Sequence, residues 1–258
     1  MKYQPKPYVA EHFDLSYFRN TYSLERCKAV ALMAEMGLVK HKIRHSLAVA
    51  DAAMLIAKNI EKKLGIKLDM RVVEVGALLH DVGLCMLTFE PGKNDFCPEH
   101  YYIGAEIALL AGYDEHVARC IEYHDCGGFV PETVRDLGLP KHCEKDNTLP
   151  ESWEEKIVAY ADTIISVEGE AFLNVWEDDH ACAKGSFNYM NTIYLNRLGI
   201  EVKKNHPQFD YLDELNKEMR VFIPRDEYET YIRPEVIKMN DAQREAGIIL
   251  PFSSVEEW

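Results

Sequence analysis

Apolar residues recur at helical spacing through most of this chain and almost nowhere alternate with the period of two that marks a half-buried strand. Leu24 to Met36 reads as one amphipathic helix, closed by Gly37 as its C-terminal cap. His45, Val49, Ala52, Ile56 and Ile60 share a face of a second helix that ends near Gly65. Asp69 is the N-cap of a third, whose Val72, Val75 and Leu79 run straight into His80-Asp81. A break follows with Gly83, Pro91 and Gly92. Asp95 and Pro98 then announce a helix with His100, Ile103, Ile107 and Leu110 on one face, stopped by Gly112. Asp114 caps the next, where Val117, Ile121 and His124 share a face until Gly127-Gly128. A loop containing Pro131, Pro140 and Pro150 leads to Ser152-Trp-Glu-Glu155, which has the form of a capping box. That box opens a helix on which Val158, Asp162 and Ile165 line up. Residues 186–198 and 208–219 predict two more helices, the first closed by Gly199. The expected fold class is all-α: an arm rich in proline and aromatics at 1–23, a helical bundle at 24–167, and a helical C-terminal extension at 168–258. No motif gives that extension a task.

Composition narrows the function. The chain has 258 residues, 47% apolar and 28% charged, enough to bury a sizeable core. Its net charge of −14 argues against sequence-blind binding to DNA or RNA, so no nucleic acid polymer is expected as a partner. A small phosphorylated substrate stays open, because a metal supplies local positive charge. No run has the length of a membrane span and nothing resembles a signal peptide, so the expected place is the cytoplasm, with no membrane partner. The seven cysteines form no CxxC pair and read as reduced thiols. The aromatic arm makes a homodimer reasonable.

Candidate chemistry concentrates in the middle of the chain. His45, His80, Asp81, His100, His124 and Asp162 all fall on apolar stripes, where an ionisable group is costly unless paired. One such residue is ordinarily a core histidine or a capping aspartate; six together read as a buried metal site. Imidazole and carboxylate ligands suit Fe, Mn, Co, Ni or Zn. His80 and Asp81 point about 100° apart on a helix, so both can reach metal only beside its end. There Asp81 is placed to bridge two ions.

These residues resemble a known family. His45, the His80-Asp81 dyad and Asp162 match the H…HD…D signature of the HD-domain superfamily, mostly metal-dependent phosphohydrolases. Gly76-Ala-Leu-Leu-His-Asp-Val-Gly83, His45-Ser-Leu-Ala-Val-Ala50 and Glu155-Lys-Ile-Val-Ala-Tyr-Ala-Asp162 are similar to its motifs, in order, over roughly 24–167. Having His100 and His124 between dyad and last aspartate resembles the dinuclear subgroup. The resemblance implies two divalent metal ions, one on His45, His80, Asp81 and Asp162, the other on Asp81, His100 and His124. It implies hydrolysis of a phosphomonoester or phosphodiester, on a small phosphorylated or nucleotide-like substrate, by a metal-bridging hydroxide. Two alternatives remain: a mixed-valent di-iron oxygenase acting on a polyol or phosphonate, and a non-catalytic nucleotide sensor that keeps the metals. Many family hydrolases carry Lys shortly after the HD-x-G glycine, where this chain has Leu84, which raises the oxygenase reading.

Two cations are candidate substrate contacts. Arg44 precedes His45 as a possible phosphate contact, within a basic stretch (Lys40, Lys42, Arg44) of the kind usually solvated. Lys156 is a possible substrate contact or a surface lysine. Among the rest, His41 and His116 are expected to be exposed, Asp178-Asp179-His180 to face solvent, Asp125 to support the ligands, and Cys126 to fill a loop.

Overall fold

A computed structural model describes residues 23–86, 99–129, 131–136, 149–165, 175–199, 201–234 and 237. Among these residues there are helices and turns and no sheet, so the chain is all-α. No helix among them is long and apolar enough to cross a membrane. Residues 1–22 of the arm and the start signals Asp95 and Pro98 lie outside the described residues, as does Pro140.

Helix α1 spans Leu24–Glu35, α2 Lys40–Leu64 and α3 Met70–Leu79. Each starts or stops where local chemistry dictates. Ser23 accepts from the Arg26 N–H at 3.0 Å, and Asp69 accepts from the N–H groups of Arg71 and Val72. Gly65 ends α2 at φ 67°, a left-handed value that a glycine adopts without strain. Helices α4 (His100–Leu110), α5 (Glu115–Glu122) and α7 (Trp153–Ile165) complete the bundle. Helix α3 lies at its centre, packed against α1, α2, α5 and α7, and its Val72, Val73, Val75, Ala77, Leu78 and Leu79 are all buried. A Cβ at Gly76 would lie 2.7 Å from the Cys120 Cβ, so this glycine is what lets α3 and α5 approach.

The capping box forms as expected. Ser152 Oγ accepts from the Glu155 N–H at 3.2 Å, and Glu155 Oε2 accepts from the N–H groups of Ser152 and Glu151. The other Glu155 oxygen takes an N–H from Arg119 at 2.8 Å, which ties α7 to α5. Beyond the bundle lie α8 (Ala181–Leu198) and α9 (Pro207–Met219), packed on each other and on α7.

Three expectations need correction. On α4 the buried face is Tyr101, Gly104, Ala105 and Ala108, whereas Leu110 is 86% exposed. The helix is apolar nearly all round, so periodicity alone could not choose a face. Close approach chose the small residues, since a Cβ on Gly104 would lie 2.9 Å from Ile121. Pro131 opens a short helix, α6 (Pro131–Asp136), within the segment read as loop. A proline at the first helical position forfeits no hydrogen bond. His41 is buried, because it lies one turn before His45 on the same inward stripe of α2.

Candidate metal centre

Five helices deliver the six side chains to one place. His45 comes from the second turn of α2, His80 and Asp81 from the end of α3, and Asp162 from the last third of α7. His100 opens α4 and His124 follows α5. Gly83 brings α4 in: a Cβ there would stand 2.0 Å from the His100 carbonyl oxygen and 2.8 Å from the Gly104 nitrogen. Only a residue without a side chain lets the turn after the dyad touch the start of α4.

The ligand atoms form two overlapping groups. In the first, His45 Nε2 lies 2.9 Å from Asp162 Oδ1 and 3.2 Å from His80 Nε2, which is 3.3 Å from the same oxygen. In the second, His80, Asp81 and His124 offer ligand atoms within 4.8 Å of one another, and His100 Nε2 joins them 3.2 Å from His124 Nε2. Asp81 stands between them. Its Oδ2 is 3.6 Å from His80 Nε2 and 3.8 Å from His45 Nε2, while Oδ1 is 3.5 Å from His100 Nε2. Ligands about 2.1 Å from one divalent ion sit roughly 3.0–3.4 Å apart. The separations among the histidines and to Asp162, 2.9–3.3 Å, match that spacing, and those from Asp81 are a few tenths of an ångström longer.

Tautomers support the fit. His80 Nδ1 is 2.7 Å from the Ala77 carbonyl oxygen and His124 Nδ1 2.7 Å from that of Ile121. An N–H donated there leaves each Nε2 lone pair for a cation, the usual support for a metal-binding histidine. The two rings repeat one local device, a carbonyl three residues back at a helix end. His45 has none: its Nδ1 is buried without a hydrogen-bond partner. His80, Asp81 and His124 are buried; Asp162 and His100 keep side-chain exposures of 20% and 12%, which leaves the centre a way to solvent.

Without a cation the electrostatics divide the site. Burial lowers the pKa of His80, but the Asp81 and Asp162 carboxylates outweigh it and push it up to about 9. Burial pushes His124 down to about 3, helped by charge on His80 and opposed by Asp162. Burial likewise lowers His45, with Asp162 opposing. Both carboxylates are held well below the usual range: burial raises them, but Lys42 and His80 at Asp81, and His80 and His45 at Asp162, prevail. Between these two anions His80 favours its protonated form when no cation is bound.

Lys42 is the residue that sequence reasoning passed over. Its Nζ lies 3.3 Å from Asp81 Oδ2 and its side chain is only 14% exposed. The signal was its position three residues before His45, on the same face of the same helix. The neighbouring Arg44 is exposed. Lys156 Nζ is held by both oxygens of Glu218 at 2.9 Å and lies 5.6 Å from the Trp153 ring centre. Asp125 is half-buried in the turn after His124, and the side chain of Cys126 lies outside the described residues. His116 is exposed. The 178–180 cluster is exposed or half-buried but paired: Asp178 with Lys184, Asp179 with Arg220, and His180 with Asp213.

The model of the HD domain matches residues 43–165. An uncharacterised protein of Methanocaldococcus jannaschii is 36% identical over 138 residues, 54% of this chain and 73% of that one. The chain belongs to the HD-domain family. Other relatives of this HD protein are tRNA (cytidine(56)-2'-O)-methyltransferases. That of Picrophilus torridus is 37% identical over 49% of this chain, and that of Thermoplasma volcanium 32% identical over 57%. The shared segment makes up only 32% and 41% of those two proteins, so most of each has no counterpart in the match. No solved structure matches. The donor set of the HD protein, histidine and aspartate with two rings held in the metal-binding tautomer, suits divalent metal.

Proposed function

We propose that this HD protein is a metal-dependent phosphohydrolase with two divalent ions, acting on a small phosphorylated or nucleotide-like substrate. The observation that carries this reading is Asp81, with Oδ1 toward His100 and Oδ2 toward His45 and His80. A carboxylate so placed suits two cations at once. His45, His80, Asp81 and Asp162 would hold one ion, and Asp81, His100 and His124 the other. Such a pair, when bound, lowers the pKa of water and neutralises charge on a phosphoryl group.

The protein's own residues favour an anionic substrate at this site. Lys42 adds a cation within reach of Asp81, and His124, held neutral by burial, stays available as a ligand far below pH 7. Lys42, which lies against Asp81, is the phosphate contact we put forward ahead of Arg44 and Lys156. The net charge of −14 disfavours an RNA polymer as substrate, so the tRNA in the names of two relatives is not carried over.

The test is phosphate release from a panel of phosphomonoesters, phosphodiesters and nucleotides, by protein loaded with Mn, Co, Ni or Fe without oxygen. Release that needs His45 and His124 supports the reading. Turnover that requires iron and O2, with no phosphate freed under anaerobic conditions, replaces it with oxygenase chemistry.

A further inference from the structure

The turn that carries His124 is finished by residues from far along the chain. His124 is followed by Asp125-Cys-Gly-Gly128, a single tight turn in which the Gly127 N–H donates to the His124 carbonyl at 3.0 Å and the Gly128 N–H to that of Asp125 at 2.9 Å. The Gly128 carbonyl is then left pointing into protein, where it needs a donor. Gln208, fully buried in the first turn of α9, supplies it: its Nε2 donates to the Gly128 oxygen at 2.5 Å. Thr133 of α6 fixes which way the amide faces, because its hydroxyl donates to Gln208 Oε1 at 3.1 Å. The same helix packs on the turn itself. Gly127 has φ 74°, and a Cβ there would lie 2.8 Å from Leu212 and 3.5 Å from Tyr211. The next residue but one, Phe129, lies 5.6 Å from the Tyr101 ring, which stacks edge-on against His100 at 5.9 Å.

We infer that Gln208 is a positioning residue for the second half of the metal centre, so that the C-terminal segment is needed for the second ion and not for the first. The inference rests on the two-ion reading above. His45 and Asp162 sit within α2 and α7, and His80 at the end of α3. Helix α7 packs against the turn and the His80 ring lies 4.8 Å from that of His124, but the hydrogen bonds of these three side chains run to one another and, for His80, to the Ala77 carbonyl, not to the turn. His124 and His100 depend on a turn and a helix start that Gln208 and Phe129 hold. Gln208 also lies outside the matched family region, which ends at residue 165.

The experiment is metal titration of the full chain with Co, read by bound-metal analysis and by the visible absorption of each half, for wild type, Gln208→Leu and Asn216→Leu. Asn216 is the control. It is equally buried on α9 and takes the Tyr160 hydroxyl at 2.8 Å, but has no bond to the turn. Wild type is expected to take up two ions per chain. Gln208→Leu should keep the first at wild-type affinity and bind the second at least tenfold more weakly. Asn216→Leu should melt at lower temperature yet still bind two. Equal affinities in wild type and Gln208→Leu overturn the inference, as does a loss of metal that simply follows melting temperature in both variants. A wild type that binds a single ion sinks the two-ion reading first, and the brace with it.

Discussion

The two halves of the centre use the same side-chain types but are built differently. The first half, His45, His80 and Asp162, draws on α2, α3 and α7, helices packed on one another at the middle of the bundle. The second, His100 and His124 with Asp81 shared, draws on the first residue of one helix and the turn after another. Backbone hydrogen bonds within helices fix His45 and Asp162, while His80, like His124, stands at a helix end with Nδ1 on a carbonyl three residues back. Glycines that permit contact, and a brace from α9, fix the second half. Ligands on long packed helices should open only with the whole bundle, whereas ligands on turns should loosen locally at lower cost.

The largest effect should come from the residue common to both halves. Asp81→Ala is expected to weaken both ions by well over ~100-fold, more than loss of an outer-shell partner costs, and to abolish phosphate release. Metal content after dialysis reads this directly. If one ion is retained at full affinity, Asp81 is not shared.

Gly83→Ala should separate the halves. The new methyl would meet the His100 carbonyl at 2.0 Å, so α4 must move. The expected cost is about 1–3 kcal/mol of stability, the usual range for overpacking. Weakened binding of the second ion should accompany it, with little change in the first. Thermal melts paired with metal titration measure both, and equal weakening at the two positions would erase the distinction.

Acid and base should also act on different halves. His80 has its pKa raised from 6.5 to about 9 in the metal-free protein, so its stabilising contribution is complete below 6.5 and fades as pH rises through 9. His124 is lowered to about 3, so folding keeps its full benefit above 6.5 and loses it as pH falls toward 3. Metal-free protein should therefore be most stable between the two limbs, near pH 6.5. His80→Gln should flatten the alkaline limb and His124→Gln the acidic one. Loading metal near pH 7.5 should release close to one proton, from His80, which calorimetry in buffers of different ionisation enthalpy detects. No proton release would mean that His80 is already neutral.

Smaller effects concern the substrate. Lys42→Met should leave both ions bound yet raise KM for a phosphorylated substrate roughly tenfold, within the ~1.5–3 kcal/mol of a charge-assisted contact. Smallest of all, Lys156→Met should change stability by less than ~1 kcal/mol and leave KM alone, since its ion pair with Glu218 is partly exposed. A KM change at Lys156 rather than at Lys42 would reverse their assignments.

Much of the fold was legible because the signals are local. Ser23, Asp69, Asp114 and the Ser152–Glu155 box begin their helices as the sequence indicates, and Gly37, Gly65 and Gly199 lie just past helix ends with positive φ. The six candidate ligands stood out because ionisable groups on apolar stripes conflict with burial unless they serve together. What escaped was non-local. The buried face of α4 depended on which partner came closest, and Lys42 looked like one cation among several until Asp81 arrived beside it.

The sequence by itself determined the helical elements, their caps, the central HD motif and the set of six ligand types, since each follows from spacing along the chain and from the cost of burying charge. The tertiary structure decided which atoms meet. It turned the two oxygens of Asp81 toward opposite groups of histidines, set Lys42 against one of them and brought Gln208 to the turn after His124. The physical reason is range: capping and periodicity act over a few residues, whereas the contacts at Asp81, Lys42 and Gln208 join positions between 19 and 80 apart in the chain that only packing of the whole bundle can bring together.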